Sequence, residues 1–259
     1  MNKSHHQLNS WIIGISIAVC LATLCGYGYK KIDARDLDFR DGVAYIKGTS
    51  EPYTGKIMAL WAGAKIRREA SFKKGKLHGT EIFWFKNGRR EFEKNWDNGI
   101  AHGRFLMWFE DGKKRAVANY KFGKPHGAWT YWYDNGNRKS EEHFKDGELD
   151  GAVSKWYPSG VKQHEQMYRD GKREGTWTTW HLNGQKECVE SYTNNVKHGA
   201  EQAWDTKGTL LSRIVWQGGK IQSQTNYVED ADVPFWKKKP KEEVIPTEND
   251  LSFPIKLKK

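Results

Sequence analysis

Residues 127–136 read Gly127-Ala128-Trp129-Thr130-Tyr131-Trp132-Tyr133-Asp134-Asn135-Gly136, a ring-rich run between two glycines that ends on an Asn-Gly pair. A β-prone run that stops at Asn-Gly reads as a strand entering a tight turn. The two glycines recur at a fixed interval. Gly55, Gly79, Gly103, Gly127, Gly151, Gly175 and Gly199 are spaced by 24 residues, as are Gly88, Gly112, Gly136, Gly160, Gly184 and Gly208. A third series runs Gly75, Gly99, Gly123, Gly147, Gly171 and Gly219, with Asn195 in the remaining place. Asn is the best non-glycine occupant of a left-handed backbone position, so a positive φ is expected at Asn195.

Rings keep the same period. Trp84, Trp108, Trp132, Trp156, Trp180 and Trp204 form one column, and Phe72, Trp96, Tyr120, Phe144, Tyr168, Tyr192 and Trp216 another. Within a unit, residues 80–85 and 89–96 are extended, and Lys86-Asn87-Gly88 and Asp97-Asn98-Gly99 turn the chain. Seven units from Gly55 to about Ser223 predict an all-β fold: an elongated antiparallel sheet of hairpin repeats with roughly fourteen short strands. In the first unit Trp61 and Gly63 fall one place off their columns, as in a capping repeat.

The unit G-x-W-x-x-Y-W-Y-x-N-G, followed by K-x-G-x-x-H-G spacing, resembles the MORN repeat variant. The resemblance covers about 168 of the 259 residues. It implies a β-repeat scaffold that binds partner proteins or lies against membranes. Bacterial members often carry an antitoxin-family label, which implies an alternative role in neutralising a toxin by direct binding. Fold alone assigns neither role.

Side chains alternate across a strand, which puts the Trp84 column on one face and Glu81, Phe83 and Phe85 on the other. The Trp column is the expected core, since each buried ring removes about 150 to 250 Å² from water. The opposite face varies from unit to unit and supplies the candidate partner-binding residues Phe105, Phe109, Trp129, Tyr131, Tyr133, Tyr157, Trp177 and His181. Rings that vary on a regular frame suit either a recognition surface or further packing.

No catalytic constellation emerges. The chain has no nucleophile elbow, P-loop, H-E-x-x-H or C-x-x-C, and a non-enzymatic protein without cofactor or metal is expected. His78, His102, His126 and His198 share a column, but equivalent residues two strands apart lie about 10 Å from each other, too far to share one ion. Asp150 and Glu174 take the same place in other units, so these side chains are expected to bond the adjoining turn. Cys188 aligns with Phe92, Ala116, Ser140 and His164, a tolerant position for a packed, unreactive thiol.

Forty-three Lys and Arg face 32 Asp and Glu for a net +11, with 13 Trp and a mean hydropathy of −0.86. Residues 55–226 hold 30 basic and 20 acidic groups, so nearly all the excess belongs to the repeats. A basic, ring-rich surface suits a protein partner, an anionic membrane surface or an envelope polymer. The interleaving of both charge signs disfavours nucleic acid.

Four segments follow: 1–29, 30–54 as a linker or cap, the repeat domain 55–226, and a Pro/Lys-rich tail 227–259. The uncharged run Trp11–Tyr29 extends about 28 Å as a helix and matches a membrane span. It reads as an uncleaved signal anchor, with lipidation at Cys25 or a cleaved signal peptide as alternatives. Lys30, Lys31, Arg35 and Arg40 favour a cytoplasmic carboxyl side. The short polar leader and large following domain favour the exported side of an inner membrane, which is the expectation retained. The tail, with Pro234, Pro240, Pro246 and Pro254, is expected to cover the last sheet edge through Phe235 and Trp236.

Overall fold

The computed structural model describes residues 31–227. They form one 21-stranded sheet and a separate two-stranded hairpin, with a single 3-10 turn at Ala34–Asp36. Gly127–Trp132 shows the unit: it pairs antiparallel with Arg138–Lys145, from Gly127 opposite Phe144 to Trp132 opposite Arg138. A register shift at Tyr131/Trp132 marks a bulge beside the Asn-Gly turn. The same shift recurs at Phe83/Trp84, Lys155/Trp156, Thr179/Trp180 and Ala203/Trp204. The chain then turns at Asp146-Gly147, whose φ values of 53° and 100° are both positive. Two left-handed residues match the twist of a two-residue hairpin. Asn195 has φ 69°, as its place in the glycine series requires.

Neighbouring units are joined along both long edges. On the Asp-Gly edge, each turn N–H donates to a carbonyl of the preceding unit: Gly99 to Leu77, Gly123 to Ala101, Gly147 to Pro125 and Gly171 to Leu149, at 2.7–2.9 Å. The column containing the histidines works at the same edge. Thr54, Asp150 and Glu174 accept from the backbone N–H groups of Lys74, Asp170 and Asn194, and His102 Nδ1 lies 3.5 Å from that of Phe122. On the Asn-Gly edge, the Asn87, Asn135 and Asn183 amides donate to Glu110, Pro158 and Thr206 carbonyls one unit on.

The fully buried residues do not lie on the expected face. Phe105, Trp129 and Val153 are buried, with Ala116, Ala118 and Tyr120 beside them, whereas Trp84, Trp108, Trp132, Trp156, Trp180 and Trp204 are half-buried. The reason is position along the strand. Trp129 sits mid-strand with strands on both sides, and Tyr120 and Phe144 meet it at centroid distances of 5.0 and 4.9 Å. Gly127, the register partner of Phe144, has φ 72°, so glycine is needed there for its left-handed backbone. The Trp132-type residues stand at strand ends beside the bulge; at Trp156, Arg138 and Lys162 lie 5.9 and 5.8 Å from the ring centre.

At the N-terminal side, Lys31–Asp33 runs parallel to Gly55–Leu60 and occupies the first edge of the sheet. The hairpin of Leu37–Arg40 and Val43–Ile46 buries Leu37 and Ala44 against Tyr53, Ile57, Ala70 and Phe72. Trp61 is in register after all. Its indole donates to the Trp84 carbonyl at 3.0 Å, as the Tyr133 hydroxyl does to Trp156 at 2.9 Å, which puts it in the Phe85 column. At the far end Lys220–Asn226 is exposed along its length. The expected anchor Trp11–Tyr29 and the Phe235–Trp236 edge cover lie outside the described residues. Among the described residues no helix is long and apolar enough to cross a membrane.

Phe122 departs from the turn pattern. It takes φ 50° where other units place Lys74, Asn98, Asp146, Asp170 or Asn194, and is 68% exposed. A left-handed conformation costs an ordinary L-residue roughly 1–2 kcal/mol. Phe122→Asn is therefore expected to stabilise the chain by about 1 kcal/mol, read as a higher midpoint in thermal unfolding; an unchanged or lower midpoint would refute the strain.

Candidate recognition groove

The unit-to-unit variation on the inner face leaves a groove of 870 Å³ across the third to fifth units. One row across the strands, Met107, Ala116, Tyr131, Ser140 and Lys155, lines it; Glu142 lies towards mid-strand, and Phe109, Tyr133 and Tyr157 lie with Arg115, Lys139 and Gln163 towards the Asn-Gly turns, where Trp132, Asp134 and Trp156 complete the lining. The bulge accounts for Arg115 and Lys139. The extra residue in each unit turns its side chain to this face, so Arg115 lies 6.0 Å from the Phe109 ring centre and Lys139 5.9 Å from that of Tyr133. The opening itself follows from one column. Phe92 fills its place by stacking on Phe83 at 4.2 Å, whereas Ala116 and Ser140 are too small to do so. From Gly103–Trp108 to Gly151–Trp156 the groove spans about 19 Å, four spacings of ~4.8 Å.

Of the eight candidate residues, Phe109, Tyr131, Tyr133 and Tyr157 come together in this groove. Phe105 and Trp129 are 3% and 2% exposed and belong to the core; the Trp129 indole donates to the Asn119 carbonyl at 2.8 Å. Trp177 and His181 lie outside the groove: Trp177 packs on Tyr192 at 4.9 Å, and His181 Nε2 is 2.9 Å from the Trp204 carbonyl. The Tyr133 and Tyr157 hydroxyls donate to Trp156 and Trp180 carbonyls, which leaves their ring faces as the presented surface. Arg115, Lys139, Lys155 and Glu142 were not singled out from sequence. The signal was available in the column Phe92, Ala116, Ser140, whose loss of bulk marks where the face opens.

Burial governs the charges here. It pushes the Glu142 carboxyl up, partly opposed by nearby Lys155, and pushes the Tyr131 hydroxyl well above its ordinary range. Elsewhere on this face the buried carboxylates are paired. Glu81 takes Arg68 at 2.7 Å and the Trp96 indole at 2.9 Å; Glu201 takes Lys197 at 2.6 Å and the Trp216 indole at 2.7 Å. Cys188, Glu190 and Glu201 place ligand-type atoms within 4.8 Å of one another. Lys197 already bridges the two carboxylates, and burial raises the Cys188 thiol far above its usual value, so these residues fit an ammonium better than a metal ion.

Lys94 is 4% exposed among Phe92, Trp96 and Phe105, and desolvation lowers its pKa to about 8 against the attraction of Glu81. Between pH 8 and about 10.4 the unfolded chain then holds a proton that the folded chain has lost, so this group makes stability rise with pH in that window. Lys94→Met should remove that rise in chemical unfolding followed between pH 7 and 10.5; an identical slope in both proteins would refute the assignment.

Residues 101–122, 125–146 and 173–194 match the family described as MORN repeat variant, in phase with the 24-residue period. The three matched stretches cover about a quarter of the 259 residues, and the chain is similar to that family there. No curated protein matches it. The core and groove assignments separate by mutation. Trp129→Ala should cost about 3–5 kcal/mol in denaturant unfolding, against about 1 kcal/mol for Tyr133→Phe, which loses only the bond to Trp156. Equal small losses would return Trp129 to the surface.

Proposed function

We propose that this is a non-enzymatic binding protein that holds an extended, acidic segment of a partner protein in the inner groove, tethered to a membrane through residues 11–29. MORN repeats often mediate binding to proteins or membrane lipids, and they supply the frame. The observation that carries the reading is the vacated column at Ala116 and Ser140, which opens a slot lined by tyrosine faces and by Arg115, Lys139 and Lys155. Arg115 and Lys139 already lie over the Phe109 and Tyr133 rings, and with Lys155 they outnumber the lining carboxylates Asp134 and Glu142, so the slot favours carboxylates over another cation. Its length fits about six residues of extended chain at ~3.3 Å each. The tether rests on the 19 uncharged residues from Trp11 to Tyr29.

The test uses labelled, proline-spaced peptides carrying Glu at every third position, with Lys-substituted peptides as controls. The full chain should bind the acidic set, and Ser140→Phe should weaken binding about tenfold, or 1.4 kcal/mol, with an unchanged melt. The larger ring is tolerated at this position by Phe92, which makes the variant a filling of the groove and not a break in the sheet. Equal binding of both peptide sets, or no effect of Ser140→Phe, would overturn the reading.

A further inference from the structure

We infer that the groove has an occupant in the same chain: the acidic, proline-bearing stretch from Glu242 to Asp250, which a partner must displace. The inference rests on the groove being the recognition surface. Three observations converge on it. The first is where the chain leaves the sheet. The Tyr227 N–H donates to the Leu211 carbonyl at 2.9 Å, and Leu211 stands in the column of Arg115, Lys139 and Gln163, which line the groove. The last described residue is therefore held at the level along the strands that the groove occupies.

The second is reach. From Lys220–Asn226 back to Arg138–Lys145 is seven strand spacings, about 34 Å at ~4.8 Å each. The fifteen residues from Tyr227 to Glu242, extended at ~3.1 Å each, cover about 46 Å. The third is chemistry. Glu242-Glu243-Val244-Ile245-Pro246-Thr247-Glu248-Asn249-Asp250 carries four carboxylates and no cation, within a chain of net charge +11. Its acids bracket an apolar centre at Val244-Ile245-Pro246. From Glu242 to Glu248 is about 19 Å at ~3.1 Å per residue, the length of the groove. Proline-rich segments dock in ring-lined slots because their extended form loses little entropy on binding. Val244, Ile245 and Pro246 would meet Tyr131 and Tyr133, and the flanking carboxylates would meet Arg115, Lys139 and Lys155.

The experiment places a photoreactive benzophenone amino acid at position 245 of the full chain in detergent. Irradiation should crosslink it, within single chains, to peptides spanning Tyr131 to Lys155. The yield should fall at least fivefold in Ser140→Phe, and equally in a chain carrying Glu242→Lys, Glu243→Lys, Glu248→Lys and Asp250→Lys. If Ser140→Phe does not fold, the exposed Lys139→Glu serves in its place. Crosslinks to Lys220–Asn226, crosslinks only between chains, yields unmoved by these variants, or none at all would each overturn the proposal. The acidic peptides separate this failure from failure of the groove. They should bind the four-lysine variant about tenfold tighter than the unaltered chain. Equal binding to both sinks the internal occupant alone, and binding to neither sinks the groove as a recognition surface.

Discussion

Beyond its N-terminal hairpin, the described sheet is one layer thick and buries its apolar face largely against itself. That constraint organises the molecule. Burial is possible only where a side chain has paired strands on both sides and rings leaning over it, which here means the middle of each strand on one face. Gly127, opposite Phe144, serves the same arrangement through its backbone, whose φ of 72° an L side chain rarely adopts. Each unit touches only its neighbours, so the core is a line of ring contacts: Trp96 to Phe105, Phe105 to Tyr120, Tyr120 to Trp129, and Trp129 to Phe144.

Beside that line, the column of Phe92, Ala116 and Ser140 loses bulk. The sheet continues unbroken through Ala116 and Ser140 because its backbone bonds do not depend on what the column carries. The frame is fixed by turns and edges, and the face is free to vary. Polar tips are used locally: Trp61, Tyr133, Tyr157 and His181 each engage a tryptophan carbonyl of the following unit. The Tyr133 and Tyr157 rings are thereby held in the lining of the groove.

The sequence disclosed the period, the hairpins and the left-handed turns in detail, because glycine spacing reports backbone conformation directly. Asn195 was legible for that reason. The buried face was not. Alternation assigns residues to two faces without saying which is covered, and the larger, more regular Trp84 column drew the assignment that mid-strand Phe105 and Trp129 hold in the structure. Trp61 looked out of phase because ring identity was followed, whereas its register partner shows that it plays the part of a tyrosine in the next column. Half of the candidate residues came together in the groove. Arg115 and Lys139 stayed hidden because a bulge turns them to a face that strict alternation denies them, whereas alternation does place Lys155 there.

The described chain enters at the first strand, Lys31–Asp33, and leaves from the last, Lys220–Asn226. A pull between those ends would run along the direction in which strands stack, the direction of the ladder hydrogen bonds. Such a load opens bonds a few at a time and does not shear whole strands together. Under such a load the described array would peel unit by unit, and the chain would lengthen in steps of one hairpin.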